Sequence, residues 1–279
     1  MMYLRGESVI TAEGGTARLA SVYGSPNNVS LLLGRCIPFA LAFVLIKVDF
    51  RRYQWGIIAL LIMLPALLLT QSAGGLFVGV PAAVIAVLVF VWRRNALLPV
   101  VGLLIVGLIG IAAASQMPRF ERMTDFSEGT NFYRLRVWES SLNLIADRPL
   151  TGVGLDQFLY EFRDTYILPD AWEEPDLSHP HNFLLDAWVR LGVLGVSLFV
   201  ITQFVFWRIV FQVYRHSQSK LSIAVLVGAA GSMINLLAHG LVDNSIYVLD
   251  LAYIYVFLLA IATQFKNMRA IDDGARTMV

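Results

Sequence analysis
The chain has 279 residues, of which 57% are hydrophobic and only 15% charged, whereas soluble domains carry about 25% charged residues. With a mean hydropathy of +0.67, that balance excludes a soluble enzyme, a disordered chain and a nucleic-acid binder. The formal charge is only +1, one cysteine (Cys36) excludes an intrachain disulfide, and the cations are 18 arginines against three lysines, Lys47, Lys220 and Lys266.

Residues 1–28 are polar and carry no signal peptide. A tail of this kind facing outward is hard to translocate with no span before it. The expectation is therefore a chain that lost upstream helices, rather than a tail exported with the first span. Seven apolar runs then follow, at about 29–48, 55–70, 75–91, 96–115, 182–206, 221–240 and 246–264, each read as a crossing of a hydrocarbon core roughly 30 Å thick. The stretch from Trp55 to Trp92 is too long for one crossing, and Thr70-Gln71-Ser72-Ala73-Gly74-Gly75 is its polar, helix-breaking turn. The fold class predicted is all-α, a polytopic membrane helix bundle of about seven transmembrane helices with one long extracytoplasmic loop carrying short helices.

Every second loop is basic. Lys47, Arg51 and Arg52 follow the first span, Arg93 and Arg94 the third, Arg208, Arg215 and Lys220 the fifth, and Lys266, Arg269 and Arg276 the seventh. The positive-inside rule places these loops in the cytoplasm. The expected organisation is an outward tail (1–28), four transmembrane helices (29–115), an extracytoplasmic loop (116–181), three transmembrane helices (182–264) and a cytoplasmic tail (265–279). No internal repeat supports an inverted-repeat transporter.

The loop holds six arginines, no lysine and twelve acids, a charge of about −6 against about +7 for the rest of the chain. Arginine binds phosphate bidentately and is always charged. Arg119, Arg122, Arg148 and Arg163 read as surface partners of neighbouring acids. Residues Asn131 to Asp147 predict an amphipathic helix with Leu135, Trp138, Leu142 and Ile145 at helical spacing, Asn131 as its cap and Pro149 as its stop. Arg134 and Trp138 share a face, and Arg136 lies about 200° away, so the two arginines do not face one ligand. Gly152-Val153-Gly154 predicts a turn, without the preceding strand and third glycine of a dinucleotide fingerprint. Asp156 to Tyr166 predicts a second short helix, and both helices are expected to lie apolar side down on the membrane mouth.

The loop ends in Ser178-His179-Pro180-His181-Asn182. Histidine titrates near neutrality and serves as a general base, but two histidines flanking a proline also fit a cap and turn. A metal site joining them to His239 lacks the carboxylate–histidine spacing of zinc or di-iron sites. Within the spans, Arg35 either snorkels outward or is functional, Asp186 and Arg190 are placed to pair, and Asp243 and Asp250 bracket the outer end of the last hairpin near His239. From the residues alone, the chain is a membrane protein with an outward arginine- and histidine-containing mouth suited to an anionic lipid-linked substrate.

Arg134-Leu135-Arg136-Val137-Trp138, Arg148-Pro149-Leu150-Thr151-Gly152-Val153-Gly154, His179-Pro180-His181-Asn182 and Leu191-Gly192-Val193-Leu194-Gly195 together resemble the O-antigen ligase and O-antigen polymerase superfamily, as does Gly24-Ser25-Pro26-Asn27-Asn28 before the first span. The resemblance covers the C-terminal portion of a typical member. It implies a membrane glycosyltransferase of the bacterial cytoplasmic (inner) membrane, its loop facing the periplasm or exterior. It implies transfer of a glycan from undecaprenyl pyrophosphate to a hydroxyl on a lipid, glycan or protein, with no cofactor, metal or nucleotide sugar. On that resemblance His181 matches the catalytic base. Arg134, then Arg35, with Arg136 in reserve, take the pyrophosphate, and His179, Asn182, Trp138, Asp186, Arg190 and His239 support the site. Two positions depart from the family pattern: Ala73 stands where many members carry an arginine, and Arg190 where many carry an acid. Arg35 therefore supplies that charge, or the donor differs, or activity is impaired. A polymerase, a glycolipid transporter and an inactive truncated homologue are the alternatives.

Overall fold
The protein is described by a computed structural model covering residues 9–11, 17–116, 126–127, 129–244, 246 and 249–276. A short antiparallel hairpin, β1 (Val9–Thr11) and β2 (Ala17–Leu19), pairs Val9 with Leu19. Everything after it is helical or connecting: α1 (Pro26–Ile46), α2 (Phe50–Thr70), a π-helical stretch Gly74–Gly79 running into α3 (Val80–Trp92), α4 (Leu97–Ala114), α5 (Gly129–Asp147), α6 (Phe158–Glu161), α7 (Phe183–His216), α8 (Lys220–Gly240) and α9 (Leu249–Arg276). The all-α polytopic class read from the sequence is the one observed.

Local chemistry sets these boundaries. Pro26 occupies the first turn of α1, where its missing N–H costs nothing, and Lys47 ends the helix in the left-handed region. The Asp49 carboxylate caps α2 by accepting from Arg52 N at 2.8 Å. Gln71, at φ +49, ends α2 at the turn expected around residues 70–75.

Among the described residues, six helical segments are long and apolar enough to cross a membrane, against the seven expected. The difference lies in Gly74–Ala113, forty residues of continuous apolar sequence. A straight helix of that length spans about 60 Å, twice a hydrocarbon core. Arg93, at φ +49 and ψ −115, interrupts it, and a 3₁₀ turn over Arg93–Ala96 separates α3 from α4. Two of the expected spans thus form one broken segment. The fifth expected span is also longer than read, Phe183–His216, and breaks at Gly192.

The chain divides into two compact units, one within residues 1–104, 203–239 and 246–279, the other within 105–202 and 240–245. In the first, α1 packs on α2 and α3, and Phe206, Val210, Leu226, Met233, Leu236 and Leu258 form the largest buried apolar cluster. Large apolar side chains stand exposed along α2 and α4, among them Leu61, Ile62, Leu98, Val106 and Leu108. Such faces are covered by lipid in a membrane protein.

In the second unit, Val137, Leu144 and Ile145 of α5 pack on Phe158, Phe162 and Val189. Of the expected stripe, Ile145 is buried and Trp138 is partly buried against this cluster. Leu135 and Leu142 are exposed, while Val137, Ser141 and Leu144 are buried. Small Ser140 and Ser141 let neighbours approach closely, so the packed stripe follows size as well as hydrophobicity. The buried side of α5 packs on α6 and α7 while Leu135 and Leu142 stay exposed, and α5 starts at Gly129, before the expected cap Asn131.

Candidate functional site
The site is built in the second unit around Ser178-His179-Pro180-His181-Asn182. Asn182 caps α7, its Oδ1 accepting from Leu184 N at 3.0 Å and Leu185 N at 3.2 Å. Its Nδ2 donates to the Leu241 carbonyl at 3.1 Å. That bond joins the histidine segment to residues 240–245 and brings in Asp243, whose Oδ1 lies 3.1 Å from His181 Nδ1 and 3.9 Å from His179 Nε2. Asp243 is 5% exposed; a carboxylate so buried needs donors, and Asn244 N supplies another at 2.8 Å. A carboxylate only accepts, so His181 Nδ1 donates and its Nε2 keeps a lone pair.

The backbone on each side of His179 is pinned. Trp138 Nε1 donates to the Pro180 carbonyl at 2.8 Å, and Arg190 Nη2 to the Ser178 carbonyl at 3.1 Å. Arg190 is itself set by Asp186, Nε to Oδ1 at 2.7 Å, the expected i,i+4 pair, and its Nη1 lies 3.5 Å from Asp156 Oδ1. The two imidazole rings are 4.3 Å apart between centroids. Ser178 Oγ lies 3.0 Å from His179 Nδ1. Burial holds the His181 pKa below its ordinary 6.5; the Asp243 bond pulls it back up, and His179 and the Arg134 guanidinium push it down.

Trp138→Phe keeps the ring and deletes the donor to Pro180. The expected result is a loss of roughly 1 kcal/mol in transition-state positioning, about fivefold in transfer, with the melting temperature little changed. A transfer assay beside a melting curve checks it, and a wild-type rate would show that this bond positions nothing.

The arginines separate as their helix phase predicts. Arg134 is half-buried, and its Nε, like that of Arg136, has no hydrogen-bond partner among the described residues. Arg136 is committed to Glu139 at 2.9 Å and Asp170 at 2.7 Å and lies over the Phe132 ring. Arg148 pairs with Glu161, and Arg163 with Asp164 and Asp176. Arg119 and Arg122 lie outside the described residues.

Arg35 and His239 belong to the first unit. Arg35 does not snorkel; it is 1% exposed and donates Nη1 to the Leu251 carbonyl at 2.8 Å. His239 is buried against Gly75 and Gly79. Among the described residues, His179, His181 and Asp243 form a group of metal-capable side chains. At the turn where Ala73 stands, Arg18 donates to the Thr70 carbonyl at 2.9 Å and to Asn27 at 3.0 Å. The sequence reading noticed Asp243 but did not place it with His181. Its signal is an acid at the end of an apolar hairpin, 62 positions along the chain from its partner.

The family model described as O-antigen ligase matches residues 58–200, just over half of the chain. The chain belongs to the O-antigen ligase family. The match takes in α5, the histidine segment and the first arm of α7, so Trp138, His179, His181 and Arg190 lie within it and Asp243 lies outside it. Among curated proteins, none matches the chain. Membership in the O-antigen ligase family supports a membrane enzyme of the O-antigen ligase or polymerase type.

Proposed function
We propose that this protein transfers a glycan from undecaprenyl pyrophosphate to an acceptor hydroxyl on the outer face of the bacterial cytoplasmic membrane, as an O-antigen ligase-like enzyme. The reading is carried by one observation, the His181–Asp243 contact of 3.1 Å on a segment held by Trp138 and Arg190. Asp243 orients the imidazole, and Nε2 takes the acceptor proton as the hydroxyl oxygen attacks the anomeric carbon. The bond to the pyrophosphate oxygen breaks with its electron pair on that oxygen, and the anomeric centre inverts. Arg134 neutralises the developing charge. Arg136 is engaged by two acids and Arg35 by a carbonyl, which leaves Arg134 first for the pyrophosphate.

The test is a mass-spectrometric assay in proteoliposomes with a lipid-linked oligosaccharide donor. Lipid A–core and a second repeat unit serve as separate acceptors, distinguishing ligase from polymerase. A new glycosidic bond is expected; substrate crossing the bilayer unaltered would favour a transporter instead.

The pH dependence has a definite sign. A base works when neutral, so transfer falls as pH drops through the His181 pKa. Burial holds that pKa below 6.5, so the midpoint of the decline lies below pH 6.5. Asp243→Asn removes the anion that raises this pKa, leaving His179 and Arg134 to lower it. The variant is expected to be slower at pH 7, with its decline moved to lower pH. A pH–rate profile of both proteins, with chelator present, reads the shift.

A further inference from the structure
We propose that His179, His181 and Asp243 bind one divalent transition cation of the zinc class, and that the bound ion switches the site off. One ligand atom from each residue lies within 4.8 Å of the others, and the two distances to Asp243 Oδ1 are 3.1 and 3.9 Å. Zinc bonds of about 2.0–2.1 Å place tetrahedral ligand atoms roughly 3.4 Å apart, so the set closes on an ion with small ring movements. Two imidazoles and one carboxylate match the donor set of open zinc sites, whereas magnesium and calcium prefer all-oxygen shells. Side-chain exposures of 24% for His179 and 22% for His181 leave an entry route beside a 7% exposed carboxylate. The Arg190 and Trp138 bonds to the Ser178 and Pro180 carbonyls fix the backbone that carries both rings, and Ser178 Oγ, 3.0 Å from His179 Nδ1, sets the far nitrogen of that ring, as supporting shells of metal sites do.

The consequence rests on the general-base reading above. Zinc on His181 needs the Nδ1 lone pair, so the ring proton must sit on Nε2. The nitrogen that would take the acceptor proton then becomes a donor, and Asp243 turns from orienting the ring to ligating the ion.

The experiment uses the full chain in detergent, stripped with EDTA and dialysed against zinc chloride. One zinc per chain is expected, unaffected by excess magnesium, with zinc-edge X-ray absorption showing two imidazoles. His179→Gln and Asp243→Asn should each bind about tenfold or more weakly. Zinc should suppress wild-type glycan transfer, and EDTA should restore it. Equal zinc affinity in wild type and His179→Gln, an absorption edge without imidazole scattering, or transfer indifferent to saturating zinc would overturn the proposal. Zinc held by two imidazoles in a stripped protein that transfers no glycan would support the metal site and sink the transferase reading instead.

Discussion

His181→Asn is expected to reduce glycan transfer by about 10²–10⁴-fold, the usual contribution of a positioned general base. The substitution is chosen for its backbone. His181 sits at φ +50, a region where asparagine is enriched and most side chains are strained. Asparagine therefore keeps the turn into α7 while removing the basic nitrogen. His181→Ala removes the same nitrogen but adds strain, so only a loss shared by both variants reports the chemistry. Neither side chain reaches Asp243 as imidazole does, and the buried carboxylate then lacks one donor. Some loss of stability is expected, and a melting curve separates it from the loss of rate. Wild-type transfer by His181→Asn would remove His181 from the base role.

What the sequence made legible, and what it did not, follows from the range of each interaction. Spans are written in local composition, because twenty apolar residues must lie together to cross a bilayer. The turn at Gln71 and the Asp186–Arg190 pair are likewise local, and both stand where expected. The helix phase that parts Arg134 from Arg136 is local too. Long-range packing was out of reach. Asp243 meets His181 because Asn182 bonds the Leu241 carbonyl, and no periodicity records that bond. The packed face of α5 has a related reason: of the apolar stripe, Leu135 and Leu142 stand exposed, while the close-packed positions go to Val137, Ser141 and Leu144. The break between α3 and α4 falls at Arg93-Arg94, the basic pair expected between the third and fourth spans, and is local as well. The Gly-x-Gly and Leu-Gly motifs were recognised as family sequence, yet their physical reason appears only when both are seen together.

That reason yields the largest stability effect expected in the molecule, from Gly192→Ala. Gly192 has φ +63 and ψ −158 inside an otherwise continuous helix, a conformation close to glycine-only, costing of order 1–3 kcal/mol for other residues. A Cβ there would also lie 2.2 Å from the Leu150 carbonyl oxygen and 2.3 Å from its carbon. These are backbone atoms, so no rotamer change relieves the overlap. Nor can the strand of chain move away: Val153 N donates to Val189 O at 2.8 Å, Gly154 N to Arg190 O at 2.9 Å, and Val193 N to Pro149 O at 3.0 Å. Gly152, at φ +62, faces the same crossing, and its own Cβ would meet Val189 O at 2.6 Å. The two glycines thus form an interlock in which residues 149–154 supply hydrogen bonds that the broken α7 cannot make for itself. Strain and overlap together place the cost of Gly192→Ala on the order of 3 kcal/mol or more, among the large values for single substitutions. The first arm of α7 carries Arg190, which holds the Ser178 carbonyl beside His179, so transfer should fall with folding. Gly102→Ala in α4 is the control. Nothing lies within 4 Å of a Cβ at Gly102, so no loss is expected there and helix propensity favours a gain of up to about 1 kcal/mol. Melting temperatures in detergent compare the two; a Gly192→Ala protein that melts with Gly102→Ala would show that the crossing of residues 149–154 over α7 is not what holds the histidine segment.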